Sequence, residues 1–175
     1  MLKKLNNISS KTKYKNPWWE YRLDEYQMPS GNIGEYHYVY TRGSTFVIPM
    51  LSDGRFVMTK QYRYLVQKES IEFPGGGLAE GLSPEENAKN ELKEEAGFWA
   101  NNLRMIGEFN PYNGVTNEMC KVFFANNLEK LDSCPEESEE FEILFLKKEE
   151  IVEKIKKGEI WDGMSLAAWT IFLYH

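Results

Sequence analysis

Apolar and polar residues alternate with a period of two in the early part of the chain, and helical spacing takes over in three later stretches. Aromatic residues alternate with polar ones over residues 18–26 and 34–41, as half-buried strands do, and Pro29-Ser30-Gly31-Asn32 supplies the turn between them. This pair reads as a meander placed ahead of the main domain. Residues 45–51 and 56–62 form the next pair, turned by Ser52-Asp53-Gly54. Residues 71–73 are a short strand that leads into Gly75-Gly76-Gly77. Beyond the first helical stretch, residues 103–109 and 119–125 read as strands flanking a loop at 110–118, and residues 139–145 as one more. A charged helix over 149–157 is stopped by Gly158, and Asp162 or Ser165 caps a last helix that runs to about Tyr174. Residues 1–16 are polar and lysine-rich and read as a mobile tail. Strands with one helix in the middle of the order and others at the end suit an α+β or α/β sandwich.

The first helical stretch organises the rest. Residues 75–98 read GGGLAEGLSPEENAKNELKEEAGF. Ser83, Pro84 and Glu86 supply an N-cap, a proline at the first helical position and a capping-box glutamate, and Gly97 ends the helix. Glu91, Glu94 and Glu95 then fall at i, i+3 and i+4, within one narrow sector, while Ala88, Leu92 and Ala96 make a neighbouring apolar line. Crowding like charges on one helix face is unfavourable, so a cation is expected there. Clustered carboxylate oxygens suit Mg²⁺ or Mn²⁺, hard ions that also bind phosphates. A solvated glutamate-rich helix face is the plain alternative, and the fixed offsets of glycine run, cap and terminal glycine speak against it.

Composition narrows the classes. A chain of 175 residues fits one domain with a small extension, and 42% hydrophobic residues suffice for an ordinary core. The net charge of −6 argues against a nucleic-acid partner, which would call for a basic excess. No run approaches the ~20 apolar residues of a membrane span, and the lysine-containing N-terminus lacks an apolar secretion segment, so a cytoplasmic location is expected. Cys120 and Cys134 lack metal-binding spacing and read as unpaired thiols.

The stretch from Gly76 resembles the motif of the Nudix hydrolases, G-x5-E-x7-R-E-U-x-E-E-x-G-U. Glu91, Leu92, Glu94, Glu95, Gly97 and Phe98 stand in place. Leu82 replaces the motif's first glutamate and Asn90 its arginine, two side chains thought to pair and steady the loop–helix junction in the family. Losing both is milder than losing one, because no charge is left without its partner. The resemblance implies an α/β/α sandwich with mixed sheets over residues 43–175, preceded by the 17–42 meander. It also implies a metal-dependent pyrophosphohydrolase, with Glu91 and Glu95 as metal ligands and Glu94 as a further ligand or a base. The backbone carbonyl of Gly75 maps onto a family metal ligand; a tight turn would equally explain a glycine there.

Over roughly residues 17–172 the likeness extends towards the ADP-ribose and nucleotide-sugar pyrophosphatase branch. Gln61-Tyr62-Arg63 resembles the branch's Q-x-R, whose arginine contacts substrate phosphate, and Glu72 lies in a segment like its E-x-P-x-G. Gly114-Val115-Thr116-Asn117-Glu118 resembles the G-x-[ST]-x-E loop, which makes Glu118 the candidate base. Asn113 stands where the branch usually has proline. Trp18 and Trp19 have faces suited to stacking on a base, and a core or dimer contact is an equal reading. The branch implies a homodimer in which the N-terminal region is exchanged. Three functions compete: hydrolysis of ADP-ribose or a related nucleoside diphosphate sugar, hydrolysis of another pyrophosphate such as a dinucleoside polyphosphate, and a non-catalytic binding domain. Retention of Glu91, Glu94, Glu95 and Glu118 weighs against the third.

Overall fold

Strand β4 (Ser44–Pro49) runs through the interior of a four-stranded sheet with all six residues buried. The computed structural model describes residues 4–131 and 141–175. That four-stranded sheet has the order β7-β4-β9-β8, formed by β7 (Gly75–Gly77), β4, β9 (Cys120–Lys130) and β8 (Phe98–Phe109). Its β4–β9 pair is parallel and its other pairs are antiparallel, so the sheet is mixed. A second sheet, β10-β5-β6, joins β5 (Phe56–Arg63), β6 (Lys68–Glu72) and β10 (Glu142–Leu146). The chain order is completed by α1 (Pro84–Ala96), α2 (Lys148–Lys156) and α3 (Gly163–Tyr174).

Alternation on the central strands sorts the core into two layers. Phe46 and Ile48 of β4, Val122 and Phe124 of β9, and Phe56 and Met58 of β5 pack with Ala168 and Trp169 of α3. Val47, Phe123 and Ala125 point the other way and pack on Ala88, Leu92 and Ala96, the apolar line of α1. Each large side chain buried in this way contributes about 1.5–3 kcal/mol relative to exposure. The result is the α/β sandwich expected, with α1 and α3 on opposite sides of β4 and β9.

The N-terminal part differs from expectation. In place of a mobile tail over residues 1–16, residues Asn6–Lys15 form β1 and pair antiparallel with β2 (Glu20–Gln27), which in turn pairs with β3 (Ile33–Tyr40). Nearly every residue of β1 is exposed, so no apolar alternation marks it in the sequence. The backbone ladder holds it, aided by Ser9 Oγ donating to Glu25 at 2.8 Å and by Lys15 against Glu20 at 3.0 Å. Strand β8 also starts earlier than the expected residue 103, directly after α1. Asn101 and Asn102 face Asn126 and Asn127 across the pair, and these polar residues hide the period of two. The strand expected over 139–145 is seen as β10 from Glu142; its proposed start, and Cys134, lie outside the described residues. Asp162, not Ser165, is the N-cap of α3, accepting from Ser165 N at 2.7 Å.

Candidate active site

The glycine run and the acidic helix are built to meet. At the start of α1 the Ser83 hydroxyl accepts from Glu86 N at 3.2 Å, and the Glu86 carboxylate accepts from Ser83 N at 2.9 Å. Gly97 closes the helix in the left-handed region at φ 71°. On the other side, β7 pairs antiparallel with β4, and a Cβ at Gly75 would collide with the Thr45 carbonyl and Phe46. A Cβ at Gly76 would lie 2.7 Å from both carboxylate oxygens of Glu91. Gly75 N donates to Glu95 Oε2 at 3.0 Å. Glycine is therefore required here for close approach: backbone and the carboxylates of Glu91 and Glu95 converge only because no side chain intervenes.

This convergence brings two carboxylates together beside the glycine backbone, a donor chemistry that fits a hard divalent cation. Among the described residues, no set of three or more His, Cys, Asp or Glu side chains is arranged to hold a metal ion. Glu94 is exposed on α1. The convergence thus consists of a carboxylate pair and the glycine backbone.

Beside it lies a cavity of about 250 Å³, lined by Arg63, Glu72, Gly75–Gly77, Glu118, Trp18 and Ser44 among others. Six separate parts of the chain meet there. Glu72, 1% exposed, is bound by the Arg63 guanidinium through both Nε (2.7 Å) and Nη2. This fork-to-carboxylate pairing raises the Arg63 pKa above its ordinary value and fixes the guanidinium plane. Ser44 Oγ donates to Glu118 Oε1 at 2.5 Å. Trp18, 81% exposed, stands at the rim and also lines a neighbouring cleft of about 900 Å³, together with Trp19, Arg22, Arg42 and Glu80. The structure thus gathers Arg63, Glu72, Gly75, Glu118 and Trp18 around one cavity, places Trp19 in the adjoining cleft, and sets Glu91 and Glu95 against the glycine strand.

Several residues at the site carry no sequence signal. Asn87, 2% exposed on the inner face of α1, accepts from Ala79 N at 2.9 Å and donates to Thr45 Oγ1 at 2.9 Å. It braces the loop–helix junction that Leu82 and Asn90 leave without a charge pair. Ser165 Oγ accepts from Phe73 N at 3.1 Å, so the start of α3 holds the strand leading into the glycine run. Asp162 and Met164, from the start of the last helix, also line the cavity. Beneath Glu118, burial pushes the Cys120 thiol up to about 11.

Residues 40–168 match the NUDIX domain family model, and the chain belongs to that family. It is a Nudix pyrophosphohydrolase by class. It is 28% identical over 148 residues to the ADP-ribose pyrophosphatase of Bacillus subtilis (strain 168), a match covering 83% of this chain and 80% of that protein. It is 27% identical over 149 residues to the methanol dehydrogenase activator of Bacillus methanolicus, covering 84% and 80%. A crystal structure of an ADP compounds hydrolase superposes with a TM-score of 0.84 at 17% identity, covering 99% of this chain and 95% of the other, which bears on the fold.

Proposed function

We propose that this protein hydrolyses the pyrophosphate bond of ADP-ribose or a closely related nucleoside diphosphate sugar, giving a nucleoside monophosphate and a sugar phosphate. The observation that carries the reading is the single cavity in which Arg63, the glycine strand and Glu118 face one another. Relatives named ADP-ribose pyrophosphatase in Bacillus subtilis and Mycobacterium tuberculosis, and GDP-mannose pyrophosphatase in Pectobacterium atrosepticum, support the substrate class.

Nudix hydrolases generally use divalent metal ions. Glu91, Glu95 and the Gly75 carbonyl are the groups that would hold Mg²⁺ or Mn²⁺ here, with Glu94 able to contribute on rotation. Such an ion supplies charge neutralisation on the pyrophosphate oxygens and acidifies bound water. The chain's own residues do the rest. Glu72 occupies Nε and Nη2 of Arg63, which leaves the remaining terminal nitrogen for a phosphate oxygen. Exposed backbone at Gly76 and Gly77 lets the diphosphate approach closely. Glu118 accepts a proton from the water that attacks one phosphorus as the bridging P–O bond breaks. Trp18 at the rim offers a flat face for the base, and Trp19 extends that surface along the cleft. A homodimer, with the N-terminal sheet packed on a second copy, and a cytoplasmic site of action complete the proposal.

Steady-state turnover of ADP-ribose, GDP-mannose and a dinucleoside polyphosphate with Mg²⁺ tests it. ADP-ribose should be preferred, yielding AMP and ribose 5-phosphate. Glu118→Gln should lower kcat far more than it raises KM. Faster cleavage of the dinucleoside polyphosphate would refute the substrate class.

A further inference from the structure

The segment bearing Glu118 is held from both sides by one continuous piece of chain, from the end of β3 through the link at residues 41–43 to Ser44, the first residue of β4. On the first side, residues 114–117 lie along the edge of β3 that β2 leaves uncovered. Val39 N donates to Val115 O at 2.8 Å, Asn117 N to Val39 O at 3.4 Å, and Val39 and Thr116 form a parallel bridge. Tyr36 Oη donates to Gly114 O at 3.1 Å. The Asn117 side chain continues this ladder: its Oδ1 accepts from Thr41 N at 2.9 Å and its Nδ2 donates to Thr41 O at 3.0 Å. A primary amide presents the same donor and acceptor pair as a peptide group, so it satisfies Thr41 as a neighbouring strand would.

On the second side, Ser44, 6% exposed, donates its hydroxyl to the Glu118 carboxylate at 2.5 Å and its backbone N–H to Met119 O at 3.1 Å. Between these two attachments stands Gly43, at φ 107°, where a Cβ would come within 2.8 Å of the Met119 carbonyl. The link is therefore pressed directly onto the backbone following Glu118. The backbone before Glu118 hangs on Thr41, and the carboxylate itself is met by Ser44, three residues further on.

We infer that Ser44 and Asn117 are positioning residues for Glu118, and that the stretch from Thr41 to Ser44 sets where this carboxylate stands. The inference rests on the reading of Glu118 as the base. It has a structural consequence: the loop is registered to the N-terminal sheet on one side and to the buried central strand on the other.

The test compares Ser44→Ala, Ser44→Thr, Asn117→Ala and Glu118→Gln, alone and with each positioning change combined with Glu118→Gln. Each is assayed for kcat and KM on ADP-ribose with Mg²⁺ and for amide hydrogen exchange. Removing a hydrogen bond to a charged group is expected to lower kcat about ten- to a hundredfold in Ser44→Ala, with KM within about threefold. Ser44→Thr retains the hydroxyl and should recover at least half of the parent rate. Asn117→Ala should lower kcat by about fivefold and speed exchange at the Thr41 amide, as expected for loss of a neutral hydrogen bond. In the Glu118→Gln background neither change should cost more than about twofold further, because residues acting as a unit are not additive. Full additivity, or Thr41 exchange unchanged in Asn117→Ala, overturns the inference. A Glu118→Gln enzyme at the parent rate removes the reading of Glu118 as base, and this inference with it. An impaired Glu118→Gln beside unimpaired Ser44→Ala and Asn117→Ala overturns the positioning role alone.

Discussion

Asn87 should be the most damaging small substitution on α1. Its amide is 2% exposed and spans from the Ala79 backbone to the Thr45 hydroxyl, itself on a residue with no exposed surface. Asn87→Ala strands both partners at once. An unpaired buried group costs about 1–3 kcal/mol, so two, one of them partly solvated, give about 2–4 kcal/mol of lost stability. At about 2–4 °C per kcal/mol for a chain of this size, the melting temperature should fall by about 5–15 °C. Chemical denaturation with an unchanged m-value is the direct measurement. Removing both ends of the buried contact by pairing Asn87→Leu with Thr45→Val should recover at least about 1 kcal/mol relative to the sum of the single changes, since matched apolar replacement leaves no orphan between them. A loss below about 1 kcal/mol in Asn87→Ala, or strict additivity in the pair, would show that the junction is held by something other than this amide.

Glu95→Gln should remove most activity at saturating Mg²⁺ while the fold survives, since a glutamine oxygen can still accept from Gly75 N and a like charge has been removed from α1; turnover within threefold of the parent refutes the ligand role. Cys120 should resist iodoacetamide at pH 8 in the native protein and react once unfolded, because burial raises its thiol to about 11. The sign for stability follows: the native state keeps this proton where the unfolded state has lost it, so the contribution is whole below pH 9 and declines as pH rises towards 11. Peptide mapping by mass spectrometry reads the first effect and denaturant titration across that range the second. Light scattering at micromolar concentration should give twice the 20.5 kDa chain mass, and a monomer alone would refute the exchanged N-terminal arrangement.

What the sequence determined by itself was the machinery of short range. The capping box at Ser83, the glycine terminator, the apolar line Ala88-Leu92-Ala96 and the face bearing Glu91 and Glu95 all follow from spacings within one helix, where geometry is set by neighbours three and four residues away. The Arg63 segment and the Glu118 loop were legible only through their resemblance to motifs of the ADP-ribose and nucleotide-sugar pyrophosphatase branch. Tertiary structure alone decided what those pieces touch. That Glu72 would take the Arg63 fork depended on the β5–β6 pairing. That Asn87 would brace the junction depended on Thr45, 42 residues away, and that Asn117 would latch to Thr41 depended on a partner 76 residues away. Strand β1 shows the same limit from the other direction, since its residues bury almost nothing and leave no periodic trace. Contacts between distant residues are selected by the packing of whole layers, where many polar residues could serve as partner and only the assembled fold determines which one arrives.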